Sequence, residues 1–179
     1  MRPHGRSRAR WGIVSPHPRS YSSDDGRFHV VLPDDVEHKI LRLCGATRGR
    51  ETGGVLVGNY TPNRETAIIT DATPPPWDSN AGRTWFNRGV AGLHRLFVRL
   101  WSKPTREYYI GEWHHHPTDT IALSTDDVRQ MINISEDGNY RCPEPVLIIV
   151  GSDRSKRWNA KVFIFPQKEK PTELVEHPT

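Results

Sequence analysis

A chain of 179 residues is long enough for one domain with a core of its own, and it contains no apolar run able to span a bilayer. Its two cysteines, Cys44 and Cys142, make no disulfide framework and have no zinc-finger partners, so both are expected as small buried hydrophobes in a reducing cytoplasm. The net charge of +4 resides before Phe28, where six arginines face two aspartates; the neutral remainder argues against a basic nucleic-acid surface.

Residues 1–27 mix Arg, Ser, Pro and Gly without a hydrophobic period and read as a disordered basic arm, with no apolar stretch of the kind a secretory signal needs. Its removal is expected to leave folding and activity nearly unchanged. The folded domain is expected over residues 28–166. Phe28 to Leu32 reads as a short strand. Pro33-Asp34-Asp35 then starts a helix, with acids near the positive end of its dipole, and Val36, Ile40, Leu43 and Cys44 follow at helical spacing before Gly45. Glu51 precedes Gly53-Gly54 and the apolar run Val55-Leu56-Val57; strand glycines allow close approach of another chain or a ligand. Thr66 to Thr73 supplies a partner strand, with Asn63 in the turn of the hairpin.

Pro74-Pro75-Pro76-Trp77 cannot lie in a central strand, and the Asp-, Ser- and Asn-rich stretch to Trp85-Phe86 reads as a loop whose aromatics either line a groove or anchor the loop. Val90, Leu93, Phe97 and Leu100 mark one face of a second helix; Arg88, Arg95 and Arg99 fit a solvated face. After the break at Lys103-Pro104-Thr105 comes a β-prone run, Tyr108-Tyr109-Ile110, and then three histidines. Ser124 is placed to cap a third helix with Val128, Met131 and Ile132 on its apolar face, and Ser124-x-x-Asp127 reads as a capping box. Val146–Val150 and Lys161–Phe165 read as buried strands joined by a polar turn through Asp153–Lys156. Residues 167–179 are expected to be a flexible tail.

Chemistry concentrates between Gly111 and Asp127. In an extended segment alternate side chains share a face, so His114 and His116 point one way and His115 the other, with Trp113 on the side of His115. Two imidazoles followed by Asp127 beyond a Pro-containing loop offer two nitrogens and an oxygen, the trio that catalytic zinc takes while its fourth position stays open. The set His114, His116, Pro117, Ser124 and Asp127, with Glu51 upstream in Glu-Thr-Gly-Gly-Val-Leu-Val-Gly, resembles the JAMM (JAB or MPN+) metalloprotease family. The resemblance runs from about Phe28 to Phe165. It implies an α/β (α+β) fold of the MPN/JAB-like, cytidine-deaminase-like kind: a curved mixed β-sheet flanked by helices.

The resemblance further implies one Zn2+ per chain on His114, His116 and Asp127, with Glu51 as general base and then acid. Ser124 would donate to the carbonyl oxygen as negative charge develops there. His115 departs from the family's usual small hydroxyl residue between the two ligands. Three features, Glu-Thr-Gly-Gly, Trp85-Phe86-Asn87-Arg88-Gly89 and Gly-Glu-Trp-His-x-His-Pro, resemble the JAB isopeptidases of bacterial CBASS anti-phage operons. Those enzymes are linked to an E1/E2-like ligase that joins the C-terminus of a cGAS-like nucleotidyltransferase to targets, and they cleave after that tail. Two other readings remain: a ubiquitin-like or sulfur-carrier precursor peptidase, and a non-catalytic MPN scaffold. A complete ligand set opposes the scaffold. No nucleic acid, no membrane and a cytoplasmic location are expected.

Overall fold

A computed structural model of the protein describes residues 18–118, 121–152 and 158–177. In chain order its elements are β1 (Arg19–Ser22), β2 (His29–Leu32), α1 (Asp34–Gly45), β3 (Thr52–Tyr60), β4 (Thr66–Ala72), β5 (Asn80–Ala81), β6 (Phe86–Asn87), α2 (Leu93–Trp101), β7 (Tyr108–His116), α3 (Thr125–Glu136), β8 (Val146–Ser152), β9 (Trp158–Ile164) and β10 (Thr172–His177). The long strands are rich in Val, Ile, Thr and aromatics, which suit a half-buried pleated surface. They form the expected curved mixed sheet, and the curvature continues until the sheet closes as a barrel in the order β1-β10-β9-β8-β7-β3-β4-β2. The β2–β4 and β7–β8 pairs are parallel and the others antiparallel.

Alternation along these strands divides the core in two. Inside, Val30, Leu56, Ile69, Ile110, Trp113, Ile148 and Val162 pack with Val36, Ile40 and Cys44 of α1. On the outer face of β3, β7, β8 and β9, Val55, Val57, Tyr109, Leu147 and Ile149 pack with Leu93 and Leu100 of α2 and Met131 and Ile134 of α3. Both cysteines are free and buried, and burial pushes the thiol of Cys44 up to about 12 and that of Cys142 up to about 11. The β3–β4 hairpin forms as expected, with Asn63 accepting from Thr61 Oγ1 at 2.6 Å in its turn.

Three expectations need correction. The arm expected to be disordered through residue 27 contains β1, and the tail expected to be flexible after Pro166 contains β10. The two pair with each other and close the barrel. The physical reason is that each brings an apolar anchor, Tyr21 at 3 % and Leu174 at 4 % exposure. Arg19 adds a two-point ion pair to Glu37 of α1, with Nε donating at 3.1 Å and Nη2 at 3.1 Å. Removal of the part of the arm that holds β1 is therefore expected to cost stability. Val90, assigned to the buried face of the second helix, precedes α2 and is exposed. Residues 1–17 and the turn expected at Asp153–Lys156 lie outside the described residues.

Candidate active site

The histidines stand at the end of β7, a strand held on one side by β3 and on the other by β8. Pairing with β3 sets Gly53 opposite His114 and Thr52 opposite His115, so continuing the register brings Glu51 opposite His116. The glycine opposite His114 is required by space. A Cβ on Gly53 would lie 2.5 Å from the Trp113 carbonyl oxygen, 2.7 Å from Phe86 Cε1 and 2.8 Å from His114 Cδ2. The strand glycines thus permit the close approach expected of them. His115 faces the other way, as alternation requires: it is buried against Trp158, with ring centroids 5.5 Å apart, and its Nδ1 lies 3.5 Å from Thr47 Oγ1.

Asp127 comes from the first turn of α3. Ser124 Oγ accepts from the Asp127 amide at 3.0 Å, and the Ser124 amide donates to Asp127 Oδ2 at 2.8 Å, so the expected capping box is present. The Ser124 hydroxyl also donates to Asp127 Oδ2 at 2.6 Å. Its proton is therefore directed at Asp127, and donation to a substrate oxygen would require that bond to open.

The ligand atoms of His114, His116 and Asp127 lie within 4.8 Å of one another. His114 Nδ1 is 2.6 Å from Asp127 Oδ1, and His116 Nε2 is 3.6 Å from Asp127 Oδ2. His114 and Asp127 are buried, whereas the His116 side chain keeps 12 % of its surface. Two imidazole nitrogens and a carboxylate oxygen, convergent and partly open on one side, fit a divalent metal that keeps a free coordination position.

The electrostatics suit proton transfer as well as metal binding. Burial opposes the charge on Asp127, but hydrogen bonds from His114 and Ser124 prevail and hold its carboxyl down at about 2. Burial also opposes the charge on His114, yet Asp127 and Glu112 raise its pKa to about 9. Glu51 goes the other way: burial, then the negative charge of Asp127, push it up to about 7, against the pull of His114. Its amide donates to the Gly82 carbonyl at 2.9 Å, which ties it to the β5–β6 turn. A carboxyl held near neutrality can both take and return a proton.

Sequence reasoning overlooked what stands behind His114. Glu112, fully buried in β7, faces His114 Nε2 at 3.3 Å and accepts from Arg88 Nε at 2.7 Å and Gln130 Nε2 at 2.6 Å. Arg88, expected on a solvated helix face, precedes α2 and is buried at 5 % side-chain exposure because it neutralises Glu112. A charged residue among the apolar residues of a strand was the available signal. The loop aromatics take up both readings left open for them. Phe86 packs edge-on against His114, with centroids 5.6 Å apart, and it lines two clefts. One, of ≈ 570 Å³, also includes Trp85, Arg129 and Asn133; the other, of ≈ 340 Å³, includes Glu51, Arg50 and the exposed Trp77.

A convergent nitrogen, nitrogen and oxygen trio beside the half-buried carboxyl of Glu51 is an arrangement suited to metal-dependent hydrolysis. Comparison with known proteins gives the family: the model of prokaryotic homologues of the JAB domain matches residues 33–161, and the chain belongs to that family of peptidases. It is similar to a CD-NTase/cGAS isopeptidase of Enterobacter hormaechei subsp. hoffmannii, 38% identical over 157 residues that cover 88% of this chain and 86% of the relative. A human AMSH-like protease is 34% identical over 111 residues, 58% of this chain and 22% of that one. The solution structure of protein DSY2949 from Desulfitobacterium hafniense shares the fold at a TM-score of 0.52 and 18% identity, covering 80% of this chain and 86% of that one.

Proposed function

We propose that the protein is a zinc-dependent isopeptidase that cleaves the amide bond after the C-terminal tail of a conjugated cGAS-like nucleotidyltransferase, reversing the work of an E1/E2-like ligase in cytoplasmic anti-phage (CBASS) defence. The observation that carries this reading is the joining of His114, His116 and Asp127 in one site with Glu51 coupled to them, in a chain 38% identical over most of its length to a relative named for this activity. No helix among the described residues is long and apolar enough to cross a membrane.

His114, His116 and Asp127 would hold zinc, which when bound supplies Lewis acidity toward the scissile carbonyl and lowers the pKa of water. Glu51 takes a proton from the attacking water and returns it to the departing amine. Ser124 fixes Asp127 through the cap, and its hydroxyl is the donor available to the carbonyl oxygen once released from Asp127. Phe86 walls His114 and lines both clefts, along which an extended tail can lie on either side of the scissile bond.

The test uses purified zinc-loaded protein and two substrates: an isopeptide conjugate through the tail of a cGAS-like nucleotidyltransferase, and a ubiquitin-like precursor. Cleavage of the conjugate after the tail is expected. Glu51→Gln is expected to lose ~10²–10⁴-fold in turnover at full zinc occupancy. Processing of the ubiquitin-like precursor alone would replace the substrate assignment, and near-normal turnover of Glu51→Gln would remove Glu51 from the chemistry.

A further inference from the structure

Glu112 is a carboxylate with no exposed surface, placed in β7 between Gly111 and Trp113. Each of its oxygens meets two donors. Oε1 accepts from Arg88 Nε at 2.7 Å and the Tyr109 hydroxyl at 3.2 Å; Oε2 accepts from Gln130 Nε2 at 2.6 Å and faces His114 Nε2 at 3.3 Å. A carboxylate offers about four acceptor sites, and all are used. The network extends further, since Arg88 donates to the Tyr140 hydroxyl at 3.0 Å and the Gly89 carbonyl at 2.9 Å. Groups from β7, α3 and the segment after β6 thus converge on one side chain, and Tyr140 after α3 joins them through Arg88.

Such a network is a poor device for stability alone. Removing a carboxylate and a guanidinium from water costs several kcal/mol per ion, and well-packed apolar residues often serve a core equally well. What distinguishes this one is its end point. The imidazole of His114 is gripped on both nitrogens, Nε2 by Glu112 and Nδ1 by Asp127 at 2.6 Å. An ionised carboxylate only accepts, so in the metal-free site each ring nitrogen directs a hydrogen at its carboxylate; a metal held on the Asp127 side would replace the hydrogen on Nδ1 and leave the one facing Glu112.

We propose that Glu112, held by Arg88 and Gln130, is a positioning residue of the metal centre: it takes the Nε2–H of His114 and thereby turns Nδ1 of that ring toward Asp127 and the metal. The proposal rests on the metal-site reading above. It adds that the orientation of the ligand is set from behind by a residue that touches neither metal nor substrate. Partners of this kind commonly change metal affinity by ~10–100-fold.

The test measures the zinc dissociation constant of the full chain by competition with a chelator, for wild type and Glu112→Gln. The metal-free fold is followed by circular dichroism, and the cobalt-substituted spectrum reports ligand geometry. Zinc affinity is expected to fall ~10–100-fold in folded Glu112→Gln, with an altered cobalt spectrum and partial recovery in Glu112→Asp. A purely structural role would lower thermal stability while leaving the affinity of the folded protein within about threefold of wild type, and that result overturns the proposal. Because Glu112→Gln leaves Arg88 unpaired, the double variant Arg88→Gln/Glu112→Gln serves in its place if the single variant does not fold. A measurement that needs no variant is nitrogen NMR of the zinc-loaded wild type. The proposal requires a proton on His114 Nε2, and a metal bound to that nitrogen instead overturns it. Wild-type protein that binds no zinc would sink the metal-site reading itself, a failure distinct from zinc binding that ignores Glu112.

Discussion

Substituting Gly53 by Ala tests whether the β3–β7 contact sets the position of His114, the proposed metal ligand. The added methyl would fall 2.8 Å from His114 Cδ2 and 2.5 Å from the Trp113 carbonyl oxygen. Ordinary contact begins near 3.4 Å, so the ring is about 0.6 Å and the carbonyl about 0.9 Å too close. Neither neighbour can yield cheaply. The carbonyl belongs to the backbone of β7, and the ring is held at both nitrogens by Asp127 and Glu112. Overpacking of this kind costs ~1–3 kcal/mol, which for a chain of this size is a fall of roughly 2–12 °C in Tm. The larger effect is expected in function, because a misplacement approaching ~1 Å is worth about 10²-fold in rate. The assay pairs Tm of the metal-free protein with zinc affinity and turnover of the zinc-loaded protein. A loss of Tm with unchanged zinc affinity and unchanged turnover would refute the claim that His114 is placed by this contact.

Asp127→Ala is expected to lose zinc, measured by metal analysis, and about 1 kcal/mol of stability with the capping box; full zinc retention would remove Asp127 from the ligand set. Glu51→Gln is expected to stabilise the zinc-free protein increasingly as pH rises. In the fold the Glu51 carboxyl is raised from 4.5 to about 7, so its burden on stability is absent below the lower value and complete above the higher. The Tm difference between variant and wild type should therefore grow across that window, and a flat difference counts against the raised carboxyl. Tyr21→Ala and Leu174→Ala each remove an anchor of barrel closure, at ~3–5 and ~2–5 kcal/mol respectively, read from chemical denaturation. Losses under about 0.5 kcal/mol would show that β1 and β10 contribute little to the fold.

Much of the centre was legible because its parts are local in sequence. His114 and His116 share a face by strand alternation alone, and Ser124 with Asp127 announces a capping box that also fixes a carboxylate in space. The β3–β4 hairpin and the three helices follow from apolar period and turn residues. What was not legible depends on partners distant in the chain. Nothing local in Arg19 to Ser22 signals that Tyr21 will be buried against a strand more than a hundred residues away, nor that Arg19 will find Glu37. Arg88 carries the same lesson. Its neighbours looked like a solvated arginine series, and only the fold brings Glu112 within 2.7 Å of it.

The side of the barrel that the metal site faces is decided by a device the histidine spacing does not contain. Alternation traced back from His114 would put His116, His114, Glu112 and Ile110 on one face, yet Ile110 is buried inside with Trp113 while Glu112 and His114 look outward. The pairing with β3 explains this: Leu56 faces Gly111 and Val57 faces Tyr109, so Ile110 is an extra residue and the strand changes phase there. At Gly111 the backbone adopts φ +155°, and a Cβ would lie 2.6 Å from the Val146 amide nitrogen and run into its carbonyl oxygen, so no larger residue fits without displacing β8. The phase change brings Tyr109 onto the face of Glu112, within 3.2 Å of its carboxylate, and leaves Ile110 and Trp113 together in the inner core. A strand without the bulge would have to expose Ile110 or turn the histidines into the barrel, because a one-residue slip moves every side chain to the opposite face. The ligand spacing therefore determines that two imidazoles converge, and the bulge at Gly111 determines that they converge on the face where α3 supplies Asp127.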